Sequence, residues 1–324
     1  MSKFLVTGGA GFIGSHIVAE LVKKNHFVRV LDNFVSGRKK NLEAFINRIE
    51  LVKGDIRSQD SCFKVTKGID FVLHQAALRS VPKSMLNPKE YNEVNINGTL
   101  NMLQASLKNK VKCLVFASSS SVYGEINKFP EKENFLPQPI SPYALTKLTG
   151  EHYCKIFSQH YGLSTVCLRY FNVFGPRQAL DDEYAVVIPK FITCMLKDEQ
   201  PPIYGTGRQS RDFTYVSNVV QANILAAKKT NLFPRLRRGI PPFAGKGGVF
   251  NIASGKDYTI LELVRILNKL MNKDIKPVFL SPRAGDVFRT LADLSKSKSI
   301  LAFLPKIDFI KGLELTINYF KENA

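Results

Sequence analysis

Thr7-Gly8-Gly9-Ala10-Gly11-Phe12-Ile13-Gly14 is the stretch of this sequence that decides the fold. An apolar run at 3–7 leads into it, and apolar residues recur at helical spacing after it. A strand, a glycine-rich turn and a helix form the context in which such a motif binds a dinucleotide. There Gly8 permits the tight turn, Gly11 lets the backbone approach a pyrophosphate, and Gly14 lets helix and strand pack closely. The sequence therefore predicts a phosphate site at the start of the first helix.

The next apolar run, 27–31, ends in Asp32. A carboxylate at the end of the second strand can accept both hydroxyls of an adenosine ribose, and it would repel a 2′-phosphate. The sequence thus predicts NAD, not NADP. The alternative is a purely structural glycine turn followed by a solvent-facing Asp32.

Alternating strand and helix patterns continue through the first half of the chain. Strand-like runs lie at 49–53, 70–74, 112–117 and 164–170, and helical patterns lie near 41–48, 89–109 and 143–160. This alternation predicts an α/β fold with a doubly wound parallel sheet of the Rossmann type.

The texture of the sequence changes after residue 171, where prolines and glycines become frequent. We expect a dinucleotide-binding domain from 1–171 with 212–230, the latter read as a strand and helix that return to it. The remaining segments, 172–211 and 231–324, are predicted to form a smaller C-terminal substrate-binding lobe. Within it, 231–248 has the composition of an exposed basic loop.

Tyr143 and Lys147 stand four residues apart behind Ser141-Pro142, a pair typical of a helix start. They therefore share one helix face. A free tyrosine has a pKa of about 10, and a cation within about 4–6 Å favours its phenolate. The pair could supply a proton acceptor near neutral pH. Taken alone, the pair also fits an ordinary surface helix, and the serine run 118–121 fits a polar strand exit.

Composition limits the classes of function. The net charge of +19 suits acidic partners, but the lysines are scattered and form no single block, so we expect no nucleic-acid partner. Five cysteines without a C-x-x-C pair predict neither a disulfide framework nor a metal site. The sequence shows no signal-peptide pattern and no apolar run near the roughly 20 residues of a membrane span, which predicts a cytoplasmic protein without a membrane partner.

Together these motifs resemble the extended short-chain dehydrogenase/reductases, and more narrowly the UDP-hexose 4-epimerases that act on UDP-N-acetylglucosamine. The resemblance covers nearly the full length. Besides the glycine turn it includes Asn95-x-x-Gly98-Thr99, Ser118-Ser119-Ser120-Ser121-Val122-Tyr123-Gly124, Ser141-Pro142-Tyr143, Arg169-Tyr170-Phe171-Asn172-Val173-Phe174-Gly175-Pro176-Arg177, Arg211-Asp212-Phe213 and Arg283-x-Gly285-Asp286-Val287.

The resemblance implies a mechanism. Tyr143 as phenolate would take the proton of the sugar 4-hydroxyl while the C4 hydride passes to NAD. Lys147 would lower the pKa of Tyr143 and bind the nicotinamide ribose, and Ser119 would hold the 4-oxygen. A transient 4-keto sugar would turn over and take the hydride back on its other face.

The resemblance also implies two sets of binding residues. For the cofactor these are Gly8, Gly11, Phe12, Ile13, Gly14, Asp32, Asn33, Asp55, Ile56, Ala76, Ala77, Arg79, Asn95, Tyr143 and Lys147, with Arg79 where some epimerases place a lysine against the pyrophosphate. For the UDP-sugar they are Ser119, Asn172, Val187, Ile188, Tyr204, Arg211, Arg283, Asp286 and Thr290.

Three positions narrow the reaction class. Nucleotide-sugar dehydratases carry Asp-Glu after the serine, and a decarboxylase would also need an acid there, whereas this chain has Ser120 and Ser121. Epimerases restricted to plain hexoses carry a bulky tyrosine where this chain has Thr290. The resemblance thus predicts epimerisation of UDP-N-acetylglucosamine and of UDP-glucose.

Alternatives remain at the level of sequence. A UDP-glucuronate 4-epimerase shares a similar serine run but needs an added cation for the carboxylate, and another nucleotide-sugar dehydratase or reductase is a weaker alternative. A catalytically silent NAD sensor or nucleic-acid-binding protein is a third, against which the intact Ser119, Tyr143 and Lys147 argue. By analogy, the family implies a homodimer built from the helices near 89–109 and 143–160. The basic segment 231–248 is longer than the family usually has there.

Overall fold

The computed structural model describes residues 1–179, 187–229, 248–282 and 287–323. Within these ranges the strands are β1 (Lys3–Thr7), β2 (Phe27–Asp32), β3 (Glu50–Lys53), β4 (Phe71–His74), β5 (Cys113–Ser119), β6 (Thr165–Tyr170), β7 (Val173–Phe174), β8 (Pro202–Tyr204), β9 (Ser210–Asp212), β10 (Thr214–Tyr215), β11 (Val249–Ile252), β12 (Asp257–Thr259) and β13 (Val278–Leu280). The α-helices are α1 (Phe12–Lys23), α2 (Gln59–Thr66), α3 (Val81–Leu86), α4 (Pro88–Tyr91), α5 (Gly98–Lys108), α6 (Pro142–Ile156), α7 (Val187–Leu196), α8 (Val216–Ala227), α9 (Ile260–Met271) and α10 (Phe309–Glu322).

Seven strands form the central sheet in the order β11-β6-β5-β4-β1-β2-β3, and all its pairings are parallel. The order reverses between β1 and β4, because the chain passes from β3 back across β1. Parallel sheets bind ligands outside the carboxyl ends of their strands at such a reversal. The fold therefore fixes where a site should lie before any side chain is considered.

Apolar residues cover both faces of the sheet, because successive side chains of a strand point to opposite sides. Val6 belongs to a core shared with α1 and α8, whereas the neighbouring Leu5 belongs to a core shared with α2 and α5. Both residues are fully buried. The predicted doubly wound sheet is confirmed.

A third core lies beyond the main sheet and joins α7, α9 and α10. Phe174, Phe213 and Phe309 meet at its centre with ring centroids 5.2–6.4 Å apart. This core forms the smaller lobe that the change in sequence texture predicts.

Two details differ from the predicted division. Residues 249–252, assigned to the smaller lobe, form the edge strand β11 of the main sheet, because Phe250 and Ile252 are fully buried in the first core. Helix α8 returns to the first lobe as expected and packs on β5, β6 and α1. The strands next to it do not, since β9 pairs with β12 and β10 with β7. The basic segment 231–248 lies, apart from its last residue, outside the described residues.

Two predicted helices take less regular forms. Lys39–Arg48 is a 3₁₀ segment, and Asn92–Asn97 is a π-helical segment between α4 and α5. No helix in the described part of the chain combines the length and the apolar character needed to cross a membrane.

Candidate active site

A cleft with a volume of about 210 Å³ lies at the carboxyl ends of the central strands. Most of the residues predicted to bind the cofactor line it. They are Gly8, Gly11, Phe12, Ile13, Gly14, Asp32, Asn33, Ile56, Ala76, Ala77, Arg79, Tyr143 and Lys147.

The glycine turn forms one wall of the cleft. Gly8 has a φ of 66°, and a Cβ there would lie 2.8 Å from the Ala76 backbone nitrogen. A Cβ on Gly14 would clash with the Gly8 carbonyl oxygen. Gly11 is the N-cap residue of helix α1, so no side chain caps the first turn. Its first N–H groups therefore remain available for a phosphate, so the turn fits the pyrophosphate of a dinucleotide.

Asp32 ties the end of β2 to the glycine turn. Its Oδ2 accepts a hydrogen bond from the Ala10 backbone at 2.9 Å, and its Oδ1 accepts one from the Phe34 backbone at 2.8 Å. Burial raises the pKa of this carboxyl above its ordinary value, and the two hydrogen bonds oppose that rise. The carboxylate is thus oriented by the backbone and faces the cleft, as recognition of a ribose requires.

Asp55 lies beside Asp32 at the end of β3 but does not line the cleft. It accepts hydrogen bonds from Asn33 at 2.9 Å and from Arg57 at 2.8 Å. The Arg57 guanidinium lowers the pKa of Asp55 to about 2. The Asp55 carboxylate therefore orients the side chains of Asn33 and Arg57.

Asn95 lies behind the cleft wall. Its side chain accepts a hydrogen bond from the Leu78 N–H at 2.8 Å and donates to the Leu78 carbonyl at 2.9 Å and to Thr146 Oγ1 at 3.0 Å. It is 2% exposed. Asn95 therefore positions the loop after β4, and its direct contact with the cofactor stays a prediction.

Helix α6 brings Tyr143 and Lys147 to the carboxyl end of β5. Ser141 Oγ caps the helix by accepting from the Ala144 N–H at 3.2 Å. Lys147 Nζ donates to the Ala117 carbonyl at 2.8 Å and lies 5.9 Å from the centroid of the Tyr143 ring. The predicted pair thus shares one face and points at the cleft.

Ser119 forms the third corner of this group. Its hydroxyl lies close enough to the Tyr143 phenol to lower the pKa of Tyr143. It also accepts hydrogen bonds from the Ser121 N–H at 3.2 Å and the Ser121 hydroxyl at 2.9 Å. Ser119, Tyr143 and Lys147 therefore lie together around the end of β5.

The electrostatics of the group differ from the sequence-based expectation. Burial raises the pKa of Tyr143, whereas the neighbouring Ser119 hydroxyl and the positive charge of Arg79 lower it. Burial lowers the pKa of Lys147 to about 8. Arg79, which the sequence assigns to the pyrophosphate, therefore also contributes positive charge beside Tyr143.

The predicted sugar-side residues form a second, connected cluster. Asn172 Nδ2 donates to Thr290 Oγ1 at 2.9 Å and to the Asp212 carbonyl at 3.1 Å. Arg211 is 7% exposed and donates to the Phe288 carbonyl at 3.2 Å. Asn172, Arg211 and Thr290 are therefore brought together.

The other predicted sugar-side residues have mixed positions. Val187 opens α7 and Tyr204 ends β8, and both are partly exposed. Ile188 is fully buried in the third core, and its contact with a uracil ring stays a prediction. Arg283 and Asp286 lie outside the described residues.

Several cleft residues were not predicted from the sequence. Arg38, Arg57, Gln75, Tyr170 and Arg177 also line the cleft. Tyr170 and Arg177 stand inside a motif quoted above, and the Tyr170 hydroxyl donates to Gln75 Oε1 at 3.2 Å, a pairing that no local pattern indicates. Arg38 follows Asp32 in a short Ser-Gly-Arg segment, whose position near the ribose end was the available signal.

Comparisons with known proteins agree with this geometry. The model of the NAD dependent epimerase/dehydratase family matches residues 4–253. A putative UDP-glucose 4-epimerase of Methanocaldococcus jannaschii is 39% identical over 98% of both chains. A UDP-N-acetyl-alpha-D-glucosaminuronate decarboxylase of Bacillus cytotoxicus is 36% identical over 99% of this chain and 98% of its own length.

A solved structure is also similar over the whole length. The UDP-N-acetylglucosamine 4-epimerase of Methanobrevibacter ruminantium M1, in complex with UDP-N-acetylmuramic acid, is 41% identical, has a TM-score of 0.91, and is matched over 100% of this chain and 99% of that chain. The predicted family, fold class and NAD cofactor are thereby confirmed. The chain belongs to the NAD dependent epimerase/dehydratase family, in its branch of NAD-dependent UDP-sugar 4-epimerases.

Proposed function

We propose that this protein interconverts UDP-N-acetylglucosamine and UDP-N-acetylgalactosamine, and UDP-glucose and UDP-galactose, by inversion at C4. The observation that carries the proposal is the group of Ser119, Tyr143 and Lys147 around the end of β5, which has only hydroxyl groups at the next two positions. The Ser121 hydroxyl donates a hydrogen bond to Ser119 Oγ at 2.9 Å. Loss of water or of carbon dioxide would require an acid there, whereas C4 inversion requires none.

Three side chains of this protein have distinct roles in the proposed reaction. Tyr143 accepts the proton of the 4-hydroxyl and returns it at the end of the cycle. Ser119 holds the 4-oxygen during both steps, and Lys147 keeps a positive charge beside the phenol below a pH of about 8. Bound NAD supplies the acceptor that takes up the C4 hydride and gives it back. Because the cofactor is regenerated in each cycle, it should stay bound.

The sugar side supports a substrate with an N-acetyl group. Thr290 is small, 6% exposed, and bonded to Asn172 through its hydroxyl. A threonine leaves space that a tyrosine at the same position would fill. Arg211 and Asn172 are the described residues that we expect to hold the UDP, and Arg283 and Asp286 complete that set in the proposal.

A second candidate is a UDP-glucuronate 4-epimerase, which needs a cation near the sugar carboxylate. Arg79 favours this second candidate, because the side chain lines the cleft and its positive charge lowers the pKa of Tyr143. The same guanidinium could instead meet a pyrophosphate, which is the role predicted for it from the sequence. The substrate test below separates the two.

The purified protein should be incubated with UDP-N-acetylglucosamine without added NAD while the anomeric protons are followed by NMR. We expect the galacto isomer to accumulate. UDP-glucose, UDP-glucuronate and UDP-N-acetylglucosaminuronate should be assayed in parallel. Conversion of the uronates alone would favour the second candidate. A pentose product would indicate a decarboxylase, and loss of H5 with a 6-deoxy product would indicate a dehydratase.

The homodimer through α5 and α6, the cytoplasmic location and the absence of a nucleic-acid partner stay predictions. Light scattering on the purified protein measures the first. Titration with duplex DNA at two salt concentrations measures the last, since nucleic-acid binding weakens steeply with salt.

A further inference from the structure

Three side chains on one face of α6 contact the end of β5. Tyr143, Lys147 and Glu151 follow each other at intervals of four residues, so they line up along the helix. Their partners are the consecutive residues 117–119. Lys147 donates to the carbonyl of the first at 2.8 Å, Glu151 accepts from the hydroxyl of the second at 2.5 Å, and Tyr143 lies beside the third, whose hydroxyl lowers its pKa. Only Tyr143 and Lys147 have a role in the proposed reaction.

Glu151 is also half of a buried ion pair. Its Oε1 accepts from Arg169 Nε at 2.8 Å, and its Oε2 accepts from Arg169 Nη2 at 2.7 Å. The two side chains are only 5% and 4% exposed. Burial alone would lower the pKa of Arg169, but the Glu151 carboxylate raises it above its ordinary value, so the guanidinium keeps its charge. The bidentate geometry fixes both side chains in direction as well as in distance.

The ion pair connects three elements directly beneath the reacting group. Arg169 belongs to β6, Ser118 to β5 and Glu151 to α6, and the Arg169 guanidinium also lies 4.6 Å from the centroid of the Tyr123 ring. A buried ion pair contributes little net stability, because desolvation offsets most of the attraction. Its geometric effect is large by comparison, since Ser118 immediately precedes Ser119.

We propose that Glu151 is a positioning residue of the C4 epimerisation: paired with Arg169, it holds Ser118 and thereby sets the distance between the Ser119 hydroxyl and the Tyr143 oxygen. The proposal rests on the proposed function for its kinetic readout. It predicts that loss of the carboxylate damages the chemical step and leaves the binding of NAD and UDP-sugar intact.

The first test is Glu151→Gln, which keeps the shape of the side chain and removes its charge. We expect kcat to fall about 10- to 100-fold, as for a small misplacement of reacting groups, and KM to change less than about 2-fold. The Ser119 hydroxyl lowers the Tyr143 pKa, so moving it away should shift the acid limb of the kcat/KM profile to higher pH. Ser118→Ala, which leaves the ion pair intact, should shift the profile in the same direction with a smaller loss of kcat.

A double variant separates positioning from mere stabilisation. Glu151→Met with Arg169→Met removes both buried charges, so its thermal stability should return toward that of the wild type, while kcat stays low. Recovery of kcat together with stability would overturn the proposal. Glu20→Gln, which breaks the exposed pair between Glu20 and Lys24, is the matched control and should leave all parameters unchanged.

A readout without substrate distinguishes this proposal from the proposed function. Phenolate absorbance of the NAD-loaded protein, measured as the difference from Tyr143→Phe, reports the titration of Tyr143 alone among the 11 tyrosines. In Glu151→Gln its midpoint should move to higher pH even if the true substrate is another sugar. An unchanged midpoint together with normal kcat overturns the positioning role, whereas a shifted midpoint in a protein that converts none of the UDP-sugars overturns the proposed function only.

Discussion

The cofactor side and the sugar side of the site are assembled in different ways. On the cofactor side, the glycine turn, Asp32 and the loop after β4 follow the ends of neighbouring parallel strands. On the sugar side, Asn172 is joined to Thr290 across 118 residues of sequence. The Glu131 backbone N–H donates to the Leu291 carbonyl, which lies still farther away in the sequence.

This difference shows which part of the site is held by the fold and which by particular side chains. The strand order places the cofactor residues together even before their side chains make contact. The sugar side depends on polar contacts between distant segments and includes two buried carboxylates, Glu131 and Asp212, whose pKa values burial raises to about 8 and about 6. Substitutions should therefore act on cofactor binding and on substrate choice separately.

The largest effect is expected at the junction of the two sides. Tyr143→Phe removes the proton acceptor and keeps the ring, so kcat should fall about 10²- to 10⁴-fold while bound NAD is retained. Turnover and the NAD content of the denatured protein measure the two quantities. Tyr161→Phe, at a tyrosine that is 59% exposed, is the control. Wild-type turnover in Tyr143→Phe would show that Tyr143 is not the proton acceptor.

The sugar side should respond next most strongly. Thr290→Tyr fills the space beside Asn172 and replaces the hydroxyl that Asn172 Nδ2 contacts at 2.9 Å. We expect kcat/KM for UDP-N-acetylglucosamine to fall about 100-fold and that for UDP-glucose to fall much less. Thr290→Ser keeps the hydroxyl and should retain both activities. Equal losses for both substrates would show that Thr290 does not select the N-acetyl group.

On the cofactor side, Asp32→Asn should weaken NAD binding without changing substrate choice. The amide retains one acceptor but cannot serve both backbone N–H groups and the ribose hydroxyls. A loss of about 2 kcal/mol, roughly 30-fold in affinity, is expected. Discrimination against NADP should narrow, because the repelling charge is gone. Calorimetry on NAD-stripped protein measures both, with the exposed Asp60→Asn as control; an unchanged NAD affinity would show that the carboxylate does not contact the ribose.

The sequence alone predicted the cofactor side better than the sugar side, and the difference in how the two sides are assembled explains why. The glycine turn, Asp32 and the Tyr143–Lys147 pair are local patterns whose spacing follows from a strand, a turn or a helix. The position of β11, the hydrogen bonds of the buried Asn95 and the burial of Ile188 depend on packing between distant segments. So do the hydrogen bond from Lys147 to the Ala117 carbonyl and the contribution of Arg79 to the Tyr143 pKa. Only the resemblance to known epimerases pointed to Asn172 and Thr290.

The smallest expected effect tests how much the buried Glu131 carboxyl of the sugar side lowers the stability of the folded protein. Glu131 is 2% exposed, and its Oε2 makes no hydrogen bond within the described residues. Asp212 also raises its pKa, while Arg169 and Arg211 oppose the rise. With a folded pKa of about 8 against 4.5 unfolded, the folded state keeps a proton that the unfolded state releases. Stability should therefore fall as pH rises from 4.5 toward 8.

Glu131→Gln cannot ionise, so it removes this loss. Its melting temperature should match that of the wild type at pH 5 and exceed it by about 2–4 °C at pH 8. Asp212, whose burial raises its pKa to about 6, adds a change of the same sign in both proteins, so the difference between them reports Glu131. The exposed Glu125→Gln should show no such gain. If Glu131→Gln is less stable than the wild type at pH 8, the carboxylate is compensated there, and the sugar side costs less stability than its burial implies.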